Sequence, residues 1–271
     1  MRLVSICPSN TELVAYLGLT DQLVGVDHFS DWPEAVQDLP KLGPDLSIRM
    51  DKVEDLEPDL VLASLSVPGM EKNIEELEKR GLPYIVLNPN SLEEIAQDLR
   101  KVGEHTGTKE RAERVVKKYE SMIQQYKDLA EKVDHKPSLY WEWWPEPVFT
   151  PGGTNWLTEI SQLAGARNVF GDEDKASVQT DWDEVYKRNP DVVCMVWVGV
   201  KESKMDPDHV RTREGWEAVK AVQDDRIHLL EEAFYCRPSP RLLVGLQKVA
   251  AILHPDIFPQ GPFEDVLLQV K

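Results

Sequence analysis

Two stretches of this 271-residue chain carry the same pattern, and that repetition limits the fold more than any other feature. Residues 51–64 read D-K-V-E-D-L-E-P-D-L-V-L-A-S, and residues 183–196 read D-E-V-Y-K-R-N-P-D-V-V-C-M-V. Each copy begins on an acid, continues as a short amphipathic segment and turns at Pro-Asp. Each then ends in an apolar, β-branched run of the length of a buried parallel strand. A second echo precedes each copy: residues 11–27 and 155–172 both show a helix-period pattern closed by a glycine and followed by a short apolar strand. Two similar α/β lobes imply a cleft between them, where ligands commonly bind.

The alternation elsewhere agrees with this reading. In the first lobe, strands are predicted at 1–6, 23–26, 60–63 and 84–87. They are interleaved with helices beginning near Thr11, with Ser9 or Asn10 as the cap, and over 52–56, 70–80 and 92–105. In the second lobe, strands are predicted at 137–141, 192–198 and 226–230, and helices at 156–164, 182–188, near 215–222 and at 240–253. Between the lobes, residues 109–133 contain no proline or glycine, and apolar residues recur there every three or four positions. That predicts one amphipathic helix roughly 38 Å long, capped by Thr108. Such a helix is a strut, unlike the Gly-, Ser- or Pro-rich composition of a flexible linker. The expected fold class is therefore α/β: two similar lobes with mostly parallel sheets, residues 1–107 and 135–271, bridged by one long helix within 108–134.

Charge and motif content exclude several functions. With 48 acidic against 31 basic residues, net −17, the surface would repel a phosphate backbone, so nucleic acid is not an expected partner. Three distant cysteines, Cys7, Cys194 and Cys236, lie in or beside apolar segments and read as buried free thiols. No apolar run reaches the ~18 residues of a membrane span, and strand-like sequence begins at Arg2, which leaves no room for a leader. As it stands the chain reads as cytoplasmic. Phosphate-loop, dinucleotide, nucleophile-elbow, zinc-protease and C-x-x-C motifs are missing, and the histidines lack metal-ligand spacing, so no resident metal or cofactor is expected. Cys7 with His28 could be imagined as nucleophile and base, but no orienting third group is evident. Glu142 between tryptophans suits a polar ligand contact or a salt bridge better than general acid-base work.

The aromatic residues point to a binding surface. Residues 141–144 read W-E-W-W at a strand end, where successive side chains face opposite sides, so the three indoles cannot share one core. Trp143, Trp144 and, after the Pro-Gly-Gly turn, Trp156 are candidates to face a ligand. Loops after other strands add Phe29 and Trp32, the segment from Ser64 to Gly69, Trp197, and Tyr235 with Arg237, all at the carboxyl ends where open α/β sheets place ligands.

The segments R-L-V-S-I-C-P-S-N-T-E-L, V-G-V-D at 24–27, D-W-P at 31–33, L-E-P-D-L-V-L-A-S at 56–64 and R-P-S-P-R-L-L at 237–243 resemble the helical-backbone (class III) family of ABC-transporter substrate-binding proteins. Among its members the chain is most similar to vitamin B12 (cobalamin) binders, with ferric-siderophore and haem binders as cousins. The resemblance implies two lobes joined by a long helix, a ligand held by loop residues, and one acid per lobe docking to arginines of a membrane permease. Relatives are periplasmic or extracellular and membrane-anchored. The docking acids fall on Asp51 and Asp183, where the family usually has Glu. In the cobalamin pocket, Phe29 matches an aromatic and Arg237 a polar contact, whereas aromatic positions fall on Ser64 and Ser177 and an acidic one on Ala233. The function expected is monomeric, non-enzymatic capture of a corrinoid or similar flat, metal-containing molecule. Ferric-siderophore or haem binding is the alternative, and an enzyme using the same cleft is a third class.

Overall fold

The computed structural model describes residues 1–270, which divide into two compact units: Met1–Tyr119 with the C-terminal stretch from Val266, and Glu120–Asp265. In the first unit the order is β1 (Leu3–Ser5), α1 (Pro8–Tyr16), β2 (Leu23–Val26), α2 (Met50–Asp55), β3 (Leu60–Ser64), α3 (Glu71–Arg80), β4 (Tyr84–Leu87) and α4 (Leu92–His105). Then α5 (Lys109–Ala130) begins in the first unit and ends in the second. The second unit continues with β5 (Ser138–Glu142), β6 (Trp144–Pro145), β7 (Val148–Pro151), α6 (Trp156–Leu163), β8 (Arg167–Asn168), β9 (Ser177–Thr180) and α7 (Trp182–Arg188). It closes with β10 (Val192–Met195), α8 (Asp208–Arg211), α9 (Lys220–Gln223), β11 (Ile227–Leu229) and α10 (Leu242–Leu253).

Each unit holds a parallel four-stranded sheet, in the order β2-β1-β3-β4 in the first and β11-β10-β5-β8 in the second. Reading the second from its other end gives the same succession, so the sequence echoes correspond to equivalent strands. The repeated Pro-Asp turn explains how. Glu57 and Asn189, just before each proline, adopt left-handed backbone (φ 44 and 43), which ends α2 and α7 sharply. The following aspartate then reaches sideways to the start of the neighbouring strand. Asp59 Oδ2 accepts the Arg2 N–H at 2.7 Å, and Asp191 Oδ2 accepts the Ser138 N–H at 2.7 Å and its hydroxyl at 2.8 Å. Leu3 consequently pairs with Leu60, and Leu139 with Val192.

The glycine closing each first helix is equally repeated. Gly18 (φ 68) and Gly165 (φ 71) lie in the left-handed region after α1 and α6, and a Cβ on Gly165 would stand 2.7 Å from Val133 Cγ2. Buried aliphatics fill the spaces around each sheet, for example Val4, Ile6, Val53, Val61 and Leu77 in the first and Val148, Val185, Val193, Met195 and Val219 in the second. Helix α5 has 22 residues, roughly 33 Å at 1.5 Å each, three residues shorter than the pattern predicts. Its buried side is continuous with the expected period: Ala112, Val115, Val116 and Tyr119 in the first unit, Tyr126 and Ala130 in the second. Among the described residues no helix is long and apolar enough to cross a membrane.

Two local expectations are corrected, and one element is added. Helix α1 starts at Pro8, with Cys7 at its N-cap position and no side-chain cap, because proline is preorganised for the first helical turn. Ser9 and Asn10 therefore lie inside the helix, and Asn10 Nδ2 donates to the Ala63 carbonyl at 3.0 Å. The helix expected near 215–222 is a 3-10 turn (Trp216–Ala218) followed by the four-residue α9. A small antiparallel sheet, β6-β7-β9, was not legible, since Pro145, Pro147 and Pro151 make that stretch read as loop.

Two buried acids set opposite pH dependences. Burial works against ionising Asp191, but the Lys220 ammonium and the Ser138 donors outweigh it and hold the carboxyl at about 2. Asp98, on the buried side of α4, is pushed up to about 7 by burial, against the pull of Lys101. Asp191 stabilises the fold only while ionised, so its contribution is full above its unfolded value near 4 and disappears as pH falls toward about 2. Asp191→Asn should lower stability by about 2 kcal/mol at neutral pH, the scale of hydrogen bonds to a charged group, and its urea midpoint should converge with wild type between about pH 4 and 2. Asp98 has the opposite sign: its ionised form is disfavoured in the fold, so stability is lost as pH rises through about 7. Asp98→Asn should match wild type near pH 4 and exceed it at pH 8 by on the order of 2 kcal/mol in the same urea titrations.

Candidate functional site

Alternation along β5 sends its side chains to two faces. Trp141 turns toward α6, is fully buried, donates from Nε1 to Ser161 Oγ at 2.9 Å, and lies 5.6 Å from the Tyr235 ring. Tyr140 and Glu142 turn the other way. Glu142 is fully buried at the carboxyl end of the strand, and three donors satisfy its carboxylate. Oε2 takes the Tyr140 hydroxyl at 3.1 Å, while Oε1 takes Trp197 Nε1–H at 3.1 Å and Arg213 Nη2–H at 2.8 Å. Arg213 Nη1 also stands 2.6 Å from Oε2, which closes an ion pair buried on both sides. The guanidinium is held between the rings of Trp182 and Trp216, 4.5 and 4.6 Å from their centroids, an arrangement that favours a planar, weakly hydrated cation. The expectation of a salt bridge at Glu142 is thus met. Arg213, its partner 71 positions away, was missed because no local signal marks it.

This buried pair sits beneath an exposed row of rings. Trp144 is 40% exposed, its indole N–H donating to the Glu146 carbonyl at 3.1 Å. Its ring lies 6.1 Å from half-buried Trp197, and Trp197 lies 5.5 Å from exposed His209. Trp143 is half-buried, 6.2 Å from Trp156, and its buried Nε1 has no hydrogen-bond partner within the protein. Trp156 and Tyr235 are corrections. Both are buried, with Trp156 Nε1 donating to the Tyr235 carbonyl at 2.8 Å and the Tyr235 hydroxyl donating to the Gly245 carbonyl at 3.0 Å. Trp156 opens α6, and helix packing turns its indole inward. Arg237 is also buried and pairs with Glu232 at 3.1 Å. Ser177 is exposed on β9, opposite Pro151.

In the first unit the loop after β2 presents Phe29, 45% exposed, beside His28, whose ring is 5.5 Å away edge-on. Half-buried Trp32 leans on Tyr16 at 5.7 Å. A buried carboxylate anchors this loop: Asp27 Oδ1 accepts the Phe29 and Ser30 N–H groups at 2.7 and 3.0 Å, and Oδ2 accepts the Ser30 hydroxyl. Burial raises Asp27 to about 6 in spite of those hydrogen bonds from Ser30 and Phe29. Ser64 is buried and donates to Ser66 Oγ at 2.9 Å. Cys7 is a free buried thiol that desolvation pushes up to about 11, so it has no thiolate to offer a nucleophilic role with His28. Asp51 and Asp183 are exposed in the first turns of α2 and α7, and Asp51 pairs with Arg80 Nη1 at 2.8 Å.

Residues 3–233 match the profile of the periplasmic binding protein family. An ABC transporter substrate-binding lipoprotein of Bacillus subtilis, YvrC, is 31% identical over 267 residues, 96% of this chain and 82% of the relative. A vitamin B12-binding protein of Yersinia pestis is 27% identical over 248 residues, 92% of this chain and 84% of the relative. The crystal structure of a periplasmic heme-binding protein from Pseudomonas aeruginosa shares the fold, with a TM-score of 0.83 at 23% identity, covering 96% of this chain and 95% of that one.

Removing one member of a buried ion pair strands the other charge. Glu142→Ala should therefore destabilise the second unit by about 3–5 kcal/mol. Replacing Glu142 and Arg213 together by Leu and Met should recover most of that loss, as a urea-denaturation double-mutant cycle would read.

Proposed function

This chain belongs to the periplasmic binding protein family of ABC-type substrate-binding proteins, and from that premise we propose that it captures a corrinoid for an importer. Its family consists of transport receptors rather than enzymes. One observation carries the ligand reading. Trp144 and Trp197 form an exposed aromatic ledge held from below by the buried Glu142–Arg213 pair. The paired indoles of Trp144 and Trp197 suit the broad, partly apolar face of a corrin, and Phe29 is a separate exposed aromatic candidate in the first unit. Trp143, 6.2 Å from Trp156 and with a buried N–H that has no partner within the protein, is a further candidate in the second unit together with Ser177, and Trp32 and Ser64 are candidates in the first.

A second reading, haem or a ferric siderophore, is favoured by His209. Its exposed imidazole lies 5.5 Å from Trp197, and imidazole is a common ligand of haem iron. A receptor for an importer acts outside the cytoplasmic membrane, and that location replaces the cytoplasmic reading in this proposal. Asp51 and Asp183 are the proposed docking acids, exposed as rim charges that steer a partner.

Titration of the purified protein with hydroxocobalamin, hemin and a ferric siderophore, followed by tryptophan quenching and visible absorption, decides the ligand. Hydroxocobalamin should saturate, and Trp144→Ala or Trp197→Ala should weaken it at least about tenfold, the effect of losing a desolvated aromatic hot spot. Saturation by hemin or the siderophore alone replaces the corrinoid reading with the second one, and no loss in either Trp variant removes the ledge from the site. In proteoliposomes with the cognate transporter, the Asp51→Lys, Asp183→Lys double variant should bind ligand normally and fail to stimulate ATP hydrolysis. Normal stimulation would rule out docking through these acids.

A further inference from the structure

Where β5 and β11 begin rather than end, the second unit has a cavity of about 320 Å³ whose lining includes Lys132, His135, Arg226 and His254. We propose that this cavity binds a small organic anion with two or more negative charges, of the polycarboxylate or phosphomonoester type. It lies at the opposite ends of the strands from the aromatic ledge and does not depend on the ligand assigned there.

The charge distribution is the first reason. In a chain of net −17, several arginines of this unit are neutralised by acids. Arg188 pairs with Asp172, Glu173 and Glu184, Arg211 with Asp208 and Asp225, and Arg213 with Glu142. At the cavity three basic groups gather, and among the described residues no carboxylate forms an ion pair with Lys132, His135 or Arg226. Arg226 has an acid beside it in sequence, yet Asp225 turns away to hold Arg211 at 2.8 Å. Asp134 is the one acid lining the cavity, and it is exposed.

His254 supplies the second reason. Its Nε2 is 3.0 Å from the Gly165 carbonyl, and a carbonyl can only accept, so the ring keeps a hydrogen on Nε2 and its second proton would enter at Nδ1. Burial lowers its pKa; the Gly165 carbonyl opposes this, and the positive fields of Arg226 and His135 lower it further. The groups facing it are thus Arg226, His135, Lys132, the single carboxylate of Asp134 and the carbonyl end of α10. An anion placed among these cations reverses the repulsion, raises the affinity of His254 for its proton, and so binds more tightly as pH falls. Val133, Leu253 and Ile257 give the cavity an apolar wall, which a bare inorganic ion would leave unused and a short carbon skeleton would cover.

Calorimetry at constant ionic strength with citrate, glycerol 3-phosphate and inorganic phosphate, at pH 6 and pH 8, tests the proposal. One of the two organic anions should bind with saturation and more tightly than inorganic phosphate; expressed per fully ionised anion, which removes the ligand's own protonation near pH 6, its affinity should be at least about fivefold higher at the lower pH, the linkage expected of imidazole protonation. Citrate alone would identify a polycarboxylate site, and glycerol 3-phosphate alone a phosphomonoester site. Arg226→Gln should reduce affinity at least about tenfold, as expected on losing a charge-assisted contact. The exposed pair Lys132→Gln, His135→Gln should weaken binding with no effect on folding, which keeps the test decisive if Arg226→Gln is unstable. Absence of saturable binding by all three anions at both pH values, affinity of the fully ionised anion that does not change with pH, or unchanged affinity in the folded variants would overturn it.

Discussion

The aspartate of the Pro-Asp turn anchors each sheet. A parallel strand starts with backbone donors that its own neighbours do not all satisfy, and Asp59 and Asp191 supply the acceptor by reaching across to Arg2 and Ser138. The bond fixes which residue of the central strand faces which residue of its neighbour. Because side chains alternate between faces, a slip of one position would turn every apolar residue of β1 or β5 to the wrong side. The turn that ends a helix and the bond that starts a sheet are therefore one local device, used once in each unit.

At the other end of β5 a second constraint takes over. Glu142 and Arg213 are both removed from water, which is tolerable only because the carboxylate accepts from Tyr140, Trp197 and Arg213 while two indole faces flank the guanidinium. An apolar pair of the same volume would fill the space, but it could not fix the Trp197 ring through its N–H. The ion pair thus trades stability for the orientation of an aromatic surface. In the first unit Asp27 plays the comparable part for the Phe29 loop, accepting backbone N–H groups in place of a cation.

Electrostatics separates the two ends of the second unit. Near the ledge, charges are paired and buried, so their reach is short. At the cavity behind α10, burial and then the nearby cations Arg226 and His135 depress His254. Surface acids give the molecule its negative field, and against that field Lys132, His135 and Arg226 gather at one cavity.

Hydrophobic period and punctuation were sufficient to determine the α/β class, the duplicated topology and the long helix α5. These depend on local chemistry: β-branched runs of strand length, glycines that accept left-handed backbone at positions 18 and 165, and a stretch without proline or glycine between the units. The same alternation rule showed that the indoles of 141–144 must separate, and Trp141 is buried where Trp144 is exposed. Which other aromatics face outward was decided only by tertiary packing. Trp156 and Tyr235 sit in segments that read as ligand loops, yet each spends its polar hydrogen on a backbone carbonyl inside the core. Arg213 reads as an ordinary loop arginine until folding brings it to Glu142, and the basic cavity joins residues from α5's end, β11's start and α10's end. Local pattern reports the backbone and the face of a side chain. Its partner depends on where distant chain ends meet, and that information exists only in the folded molecule.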